Sequence, residues 1–390
     1  MNIQLTPPPR ISAYIRRAFF KIFPFLKTKI ETVSINEVEG LIKQKVADSE
    51  TFSLPKAYDI YGNFHEDFNQ DAYTAVIPEL FIYTLPKGIV KNGREEIFTK
   101  DKKVIKEITA QDENPQIGQF FPCNPIKRIH GSAAYFNLSS LENIYGHYWC
   151  EYIGQIYLLW KSGIKPDFYV FTQQLPFQKQ FIPILCNVFD IPKEKILTFP
   201  TGTIIKPDVL IFTSLLNSKK PITCGNRTDW NKIYMPHFMK NIYKMLADSI
   251  PENTSFGEKL YVSRENTSLR KTDNEKEVQD LLSSYGFKTI HPEDFSIPEI
   301  ISIFKAAKYL IATNGSGIAP FFLTQKTNAK LLVLYPEFFP DTHFKIFSEI
   351  CGIEFNYLRC KSVPSSEKHP REDDLTVDLE GLKLFLEKLN

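Results

Sequence analysis

The chain has 390 residues, 43% hydrophobic and 24% charged, with a formal net charge of +2. That length is more than one ordinary domain needs and supplies two cores. The composition excludes an intrinsically disordered chain, and the near-neutral charge excludes the broad basic field of a nucleic-acid binder.

Residues 1–30 form the first unit. From Arg10 to Ile30 the chain carries Arg10, Arg16, Arg17, Lys21, Lys27 and Lys29, no acid, and interleaved residues such as Tyr14, Phe19, Phe20 and Phe23. A basic amphipathic helix of this kind suits the surface of an anionic membrane, and Pro24 would kink or end it. No secretory signal is legible at this end, and no apolar run is long enough to span a bilayer.

Residues 31–250 read as an N-terminal domain. A short helix is expected over Ile35–Lys45 and a loop over Pro55–Asp71. Strands are expected at Ala75–Tyr83 and Gly88–Val90, with a turn at Lys91-Asn-Gly93-Arg and a β-rich stretch from Ile97 to Ile108. Another strand covers Ile129–Asn137, where Gly131-Ser-Ala-Ala lets neighbours approach closely. From Tyr145 the apolar spacing turns helical and stops at Ser162-Gly163. Strands at Asp167–Phe171, Lys195–Phe199 and Val209–Phe212 alternate with helices at Phe177–Phe189 and His237–Ala247. The polar stretch Pro251–Gly257 marks the boundary.

Residues 251–360 have a βα rhythm: strands Leu260–Ser263, Lys288–His291, Tyr309–Ala312 and Lys330–Tyr335, and helices Asn274–Tyr285, Ile297–Ala307 and His343–Cys351. A helix is also expected after the turn Asn314–Gly317. Such alternation predicts an α/β fold with a parallel, doubly wound sheet. Residues 361–390 read as a polar tail to Asp374, then a final helix over Leu375–Leu389.

Three segments could carry chemistry. Leu260-Tyr-Val-Ser263-Arg264 ends a strand on an arginine, and Arg270 follows in a polar loop before Asn274 and Glu275. Two guanidiniums beyond the carboxyl edge of a strand form an anion trap, since their donor forks fit phosphate oxygens. In Asn314-Gly315-Ser316-Gly317, small residues between a strand and a helix offer backbone N–H groups to an anion. This loop is neither the dinucleotide fingerprint nor a Walker loop, because Pro320 stands at the third glycine position and the lysine is missing. Both loops follow strands, so both open on one sheet edge. The third segment is Asn143-Ile-Tyr-Gly146-His147-Tyr-Trp-Cys-Glu151, where His147 and Glu151 lie one helical turn apart, as a general base and its carboxylate partner require. A merely structural pair satisfying a half-buried histidine has the same spacing.

His291 ends a strand, Glu337 follows the last one, and both are further candidates for donor contacts. His291-Pro-Glu293-Asp294 also reads as a helix cap, and Glu337, Asp341 and His343 as a solvated loop. Arg227, Asp229 and His237 carry no motif. The six cysteines, Cys123, Cys150, Cys186, Cys224, Cys351 and Cys360, form no C-x-x-C pair and no zinc-type cluster, which fits scattered thiols in a reducing compartment. No D-x-D pair is present, so no metal is expected.

With these residues on the page, the chain resembles the family 61 glycosyltransferases of capsule and lipopolysaccharide biosynthesis. Asn143-x-x-Gly-His147-x-x-x-Glu151 looks like that family's N-Y-x-H-x-x-x-D/E helix start. Tyr261-Val-Ser-Arg264 through Arg270 and Asn274-Glu275 looks like its Y-x-S-R…R-x-x-x-N-E block. The Gly286-Phe287 strand, the E-x-I-x-x-F-x-x-A helix from Glu299 and the glycine loop follow in the same order, so the likeness spans Ile129 to Leu358. The chain departs from the pattern at Asn314, where the family usually has His, at Pro320 in place of the loop's final Asn, and at Val333 in place of a Glu.

The resemblance implies two Rossmann-like domains facing a cleft, the GT-B fold, with the last helix crossing back onto the first domain. It implies inverting, metal-independent transfer from a nucleotide sugar, such as a UDP-sugar, to a growing glycan or glycolipid acceptor. The implied site places His147 and Glu151 at the acceptor hydroxyl. Arg264, Arg270, Asn314, Gly315, Ser316 and Gly317 fall on the donor diphosphate, and Ser263, Asn274, Glu275, His291 and Glu337 near its nucleoside or sugar. The implied place of work is cytoplasmic, at the inner face of the plasma membrane. The departures leave room for a catalytically impaired binding protein of the same fold. A nicotinamide-dependent oxidoreductase is disfavoured by the missing G-x-G-x-x-G, and a membrane scaffold would need only residues 1–30.

Overall fold

Apolar runs bounded by turn residues set the strands, and the computed structural model gathers them into two main sheets. It describes residues 31–65, 71–93, 96–108, 124–136, 145–171, 175–216, 222–224, 227–229, 235–337, 342–364 and 373–389. The basic segment 1–30, Asn143, Cys123 and Asp341 lie outside these residues, as do the side chains of Arg227, Asp229 and Cys224.

The first sheet uses β1 (Thr32–Val33), β2 (Ile42–Ala47), β5 (Leu80–Pro86), β6 (Ile89–Lys91), β7 (Ile97–Phe98), β8 (Val104–Ile105), β9 (Ile126–Tyr135), β10 (Phe168–Val170), β11 (Ile196–Leu197) and β12 (Ile204–Thr213). Strands β3 (Glu50–Leu54) and β4 (Tyr73–Ile77) pair separately, as do β13 (Ile222–Cys224) and β14 (Arg227–Asp229). The order is β1-β8-β7-β6-β12-β9-β10-β11, with β5 added on β12 and β2 on β5. The stretch β12-β9-β10-β11 is parallel, whereas β5 and β6 run antiparallel to β12. Gly131, at φ 107, shows the close approach expected of its segment: a Cβ there would lie 2.7 Å from Asp167 Oδ2, an oxygen that accepts bonds from Ser132 N and Oγ.

The second sheet has the order β16-β15-β17-β18-β19-β20, from β15 (Lys259–Val262), β16 (Lys288–Ile290), β17 (Tyr309–Thr313), β18 (Lys330–Pro336), β19 (Glu354–Val363) and β20 (Asp374–Thr376). All its pairs are parallel except β19 with β20. The chain is therefore a mixed α/β protein whose second sheet is parallel but for one pair and whose first sheet mixes parallel and antiparallel pairs.

Period-2 alternation sends neighbouring side chains of the second sheet to opposite faces. Leu260, Val262, Leu310, Ala312, Leu331, Val333 and Tyr335 enter the large core, and Tyr261, Ile311, Leu332 and Leu334 enter a second one. Burial on both faces is why these strands read as unbroken apolar runs. The second core is covered by α5 (Glu275–Ser284) and by the terminal helix α8 (Leu379–Glu387), whose Leu382, Phe385 and Leu386 pack there. Helix α8 and its cap reach the loop at Ile60 and Tyr61 in the first part of the chain: Lys388 donates to Ile60 O at 3.2 Å, and Tyr61 bonds Asp378.

The large core continues without a break from the second sheet to Ala134 and Ile211 of the first. Between them stand α1 (Tyr145–His147), a π-helical stretch (Tyr148–Tyr152), α2 (Ile153–Ser162), α3 (Pro176–Val188), α4 (Met239–Asp248), α6 (Ile297–Phe304) and α7 (His343–Cys351). Rings carry much of this packing. Phe181 lies 4.6 Å from the Trp149 ring, edge-on, and 5.0 Å from Tyr148.

Four local expectations are corrected. Residues 35–45 are not a helix: Ile35–Glu37 make one 3-10 turn, closed by a Ser34–Glu37 capping box, and β2 then pairs with β5. That edge strand carries Lys43 and Lys45, which keep an edge from templating further pairing. Residues 75–83 are two strands in different sheets, because Pro78 cannot donate to a ladder. The segment after Gly315 is a 3-10 stretch (Ser316–Leu323) instead of an α-helix, and it contains Pro320, which lacks the N–H a longer helix needs. The polar tail is partly strand, through the end of β19 and β20.

Truncating the ring at the centre of this packing tests its weight. Phe181→Ala should lower stability by about 3–5 kcal/mol in urea unfolding, whereas Val76→Ala, at a position 68% exposed, should change it little.

Candidate active site

Helix α1 begins where Gly146 lets the chain pass close to the glycine loop. A Cβ on Gly146 would meet Ser316 Oγ at 3.1 Å. One turn later the helix widens into its π stretch, which holds Glu151. Insertions of this kind re-aim side chains and recur at functional sites. Fully buried Tyr148, Trp149 and Tyr152 anchor the turn, with Tyr148 stacked on Tyr152 at 4.5 Å. On this platform His147 Nδ1 meets Glu151 Oε1 at 2.6 Å. Glu151 is nearly buried, its side chain 8% exposed, and that of His147 is 26% exposed. The carboxylate accepts from Nδ1–H, which leaves Nε2 as the ring's proton acceptor.

The second wall comes from the carboxyl edge of the second sheet. β15 and β17 are adjacent and in register from Lys259↔Tyr309 to Val262↔Ala312, so Arg264 and Asn314 emerge side by side. The Asn314 N–H donates to Leu334 O at 2.9 Å and holds the loop to β18. Arg264 donates from Nε and Nη2 to Leu269 O at 3.3 and 3.0 Å, which curls the arginine loop back on itself. Its Nη1 lies 2.4 Å from where a Cβ on Gly315 would be, so only glycine allows the guanidinium to lie flat against this backbone. Arg270 takes a left-handed conformation, φ 58, and donates from Nη1 to Asn314 O at 3.0 Å. Burial pulls Arg264 down to about 10, and Arg270 pushes the same way, partly offset by Glu293 and Asp374. Arg264 is still cationic at neutral pH, so two like charges are held together in a partly desolvated place, an arrangement that suits an anion.

The two walls meet at a single pocket with roughly 660 Å³ of free space, part of it open to solvent. His147, Glu151 and Gly146 line one side, and Arg270, Asn314, Gly315 and Ser316 another. Phe322, Phe344 and Phe347 supply an apolar floor.

The other sequence candidates sit around this pocket. Arg264 stands behind Gly315 and is not among the lining residues. Gly317 packs toward Val262 and Pro292. Ser263 Oγ, Tyr261 Oη and Gln279 Nε2 all donate to the Glu275 carboxylate, so Glu275 braces the arginine strand. Asn274 is bonded both ways to Val377, through Nδ2 to O at 3.0 Å and through Oδ1 from N at 2.8 Å. His291 faces the arginine loop, 3.3 Å from Glu265. Glu337 follows β18 and is partly exposed. His237 pairs with Glu50 at 3.0 Å, away from the pocket. Among the described residues no group of three His, Cys, Asp or Glu side chains could hold a metal ion, and no helix is long and apolar enough to cross a membrane.

His343, Cys150, Met235 and the phenylalanine floor also line the pocket. The sequence reading set His343 aside as part of a solvated loop and gave the others no site role. Cys150 sits inside the dyad motif without a role of its own in it, and the others share no local motif with the dyad, so no spacing signal pointed to them.

A histidine–carboxylate pair facing an arginine-backed glycine loop, at the carboxyl edge of a parallel sheet, defines an α/β group-transfer enzyme. The family model of Glycosyltransferase 61 matches residues 145–331, a stretch that contains the dyad, the arginine loop and the glycine loop, and this match indicates a glycosyltransferase. Comparison with curated proteins gave no match.

The geometry separates residues that shape the pocket from residues that brace it. Gly315→Ala should displace the Arg264 guanidinium and cost about 1–3 kcal/mol by overpacking. It should also remove most of the thermal stabilisation conferred by pyrophosphate. Asn274→Ala should cost a comparable 1–3 kcal/mol yet leave that pyrophosphate-induced shift intact, as read by calorimetric melting with and without the anion.

Proposed function

We propose that the protein is an inverting, metal-independent glycosyltransferase that moves a sugar from a nucleotide-sugar donor, such as a UDP-sugar, to a growing surface-polysaccharide or glycolipid acceptor. The observation that carries this reading is the convergence of the His147–Glu151 pair with Arg270, Asn314 and Gly315 on one pocket. The acceptor hydroxyl gives its proton to His147 Nε2, while Glu151 holds the ring and offsets the imidazolium charge that forms. The acceptor oxygen attacks the anomeric carbon from the face opposite the phosphate, which inverts the configuration.

The bond to the phosphate oxygen breaks as the new bond forms, and the nucleoside diphosphate leaves with the electron pair. Arg270 and the glycine-loop amides meet the added negative charge, and Arg264 steadies the loop from behind. Two guanidiniums supply the charge that a divalent cation supplies in other transferases, which supports the metal-independent reading. Ser263, Glu275, Asn274 and His291 then shape the edge on which the donor nucleoside would lie, with Glu337 nearby.

The parallel second sheet and the pocket between the two halves support the GT-B arrangement. In that arrangement residues 31–250 form the acceptor side and 251–360 the donor side, while 361–390 close the molecule. The basic segment 1–30 supports peripheral attachment to an anionic membrane on the cytoplasmic side, where capsule and lipopolysaccharide precursors are assembled.

A thermal-shift panel of nucleoside diphosphate sugars tests the reading, because a ligand at a hundredfold its Kd adds about 2.7 kcal/mol of apparent stability. At least one donor should raise Tm and be turned over with acceptor. With that donor, His147→Ala should lower kcat by about 10²–10⁴-fold, and Glu151→Gln by less, because Glu151 acts through the ring. A donor that binds tightly and is never consumed by any acceptor would instead support a catalytically impaired binding protein.

A further inference from the structure

The pocket has a third polar wall that neither the dyad nor the arginine loop accounts for. His343 is the first residue of α7 and lines this pocket. Its ring stands edge-on to that of His147, with centroids 6.4 Å apart. Asn314 also lines the pocket and is 1% exposed, and its side-chain amide Nδ2 is buried with no hydrogen-bond partner among the described residues. A buried donor without an acceptor is costly, so such an atom in a ligand pocket marks where an acceptor belongs.

What else lines the pocket specifies the acceptor. The first N–H groups of a helix have no partner within the helix, and its dipole favours negative charge at that end. Arg270 lines the same pocket and brings a fixed positive charge. The histidine ring offers an N–H in any protonation state at neutral pH. All these donors suit an oxyanion and none suits a cation. The two histidines therefore differ in task. His147 has Nδ1 committed to Glu151 and accepts a proton, whereas His343 belongs to the anion side of the pocket.

We propose that His343 is a further catalytic residue of the transfer reaction. Resting on the glycosyl-transfer reading, it donates a ring N–H to a phosphate oxygen of the departing nucleoside diphosphate, beside Arg270 and the Asn314 amide. As the bond between the anomeric carbon and the phosphate oxygen breaks, its electron pair goes to that oxygen. His343 meets the added charge without giving up its proton, and the acceptor's proton goes to His147 Nε2. The phosphate site thus draws on the start of α7, which lies outside the stretch matched by the family model.

Inorganic pyrophosphate, which is independent of base and sugar, is the first probe. Titrated into the full chain by calorimetry, it should bind, and His343→Ala should weaken it about tenfold. With a donor that turns over, H343A should lower kcat by roughly a hundredfold, the usual effect of losing one oxyanion donor. His343→Gln, which keeps an N–H, should recover most of that loss. The acid limb of the pH–rate profile should persist in H343A, because His147 remains the base. Melting curves without ligand control for folding, and the partly exposed position of His343 leaves little packing to lose.

Equal pyrophosphate affinity and equal kcat in the wild type and H343A would overturn the proposal and leave the transferase reading standing. So would loss of the acid limb in H343A, which would make His343 the base. If the wild type binds neither pyrophosphate nor any nucleoside diphosphate sugar, the donor site itself is refuted along with this role for His343.

Discussion

The site depends on the close approach of the Gly146 backbone to the Ser316 side chain. A methyl group at residue 146 would press on Ser316 Oγ at 3.1 Å. Without that approach the helix carrying His147 and Glu151 could not face the loop carrying Asn314 and Gly315. The contact lies at the edge of a core that runs unbroken through α1–α4, α6 and both sheets. Interiors packed at crystal-like density transmit displacement instead of absorbing it. The spacing across the pocket is therefore set by the whole aromatic interior, including Trp149, Phe181 and Phe347.

Around this contact the protein stores electrostatic tension. Arg264 and Arg270 lie near enough to depress the ionisation of Arg264, and burial depresses it further. Arg270 also holds a left-handed backbone that non-glycine residues seldom adopt. The hydrogen bonds to Leu269 O and Asn314 O keep both groups in place, and Glu293 and Asp374 offset part of the charge on Arg264. An arrangement of that kind is poor for stability and good for binding an anion, since the ligand relieves a repulsion that already exists. Glu275 shows the opposite economy: three donors converge on its carboxylate, so it serves as a strut under the strand that ends at Arg264.

What could be read from the sequence follows from how local each signal is. The strands of the second sheet were legible because burial on both faces gives unbroken apolar runs, and α2 because its apolar spacing ends at a left-handed glycine, Gly163. The dyad was legible as a spacing, and the structure brings its two side chains into contact. The same approach misread residues 35–45, whose fate depends on an edge offered by β5, far along the chain. It also missed the π turn, which shows only as hydrogen bonding. The candidates that followed the arginines were legible as a motif but not as a division of labour: Asn274 and Glu275 brace the scaffold, while Arg270 and Asn314 reach the pocket. His343 was seen and set aside, because nothing local connects it to His147. Closure of the tertiary fold alone places the two rings together.

The apolar floor completes the physical argument. Phe322, Phe344 and Phe347 lie beneath charged and polar walls, and they are 2%, 8% and 1% exposed. A floor of aromatic carbon lowers the local dielectric, so every charge–charge and charge–dipole interaction in the pocket is stronger than it would be in water. In the proposed reaction that strengthens the hold of Arg270 on a donor phosphate. The same surface offers no hydrogen bond to water, which favours a hydroxyl carried in by an acceptor with its own apolar faces over a solvent molecule at the reacting carbon. Under the proposed function, polar walls for a diphosphate and an apolar floor that discourages water act together and favour transfer to an alcohol over hydrolysis.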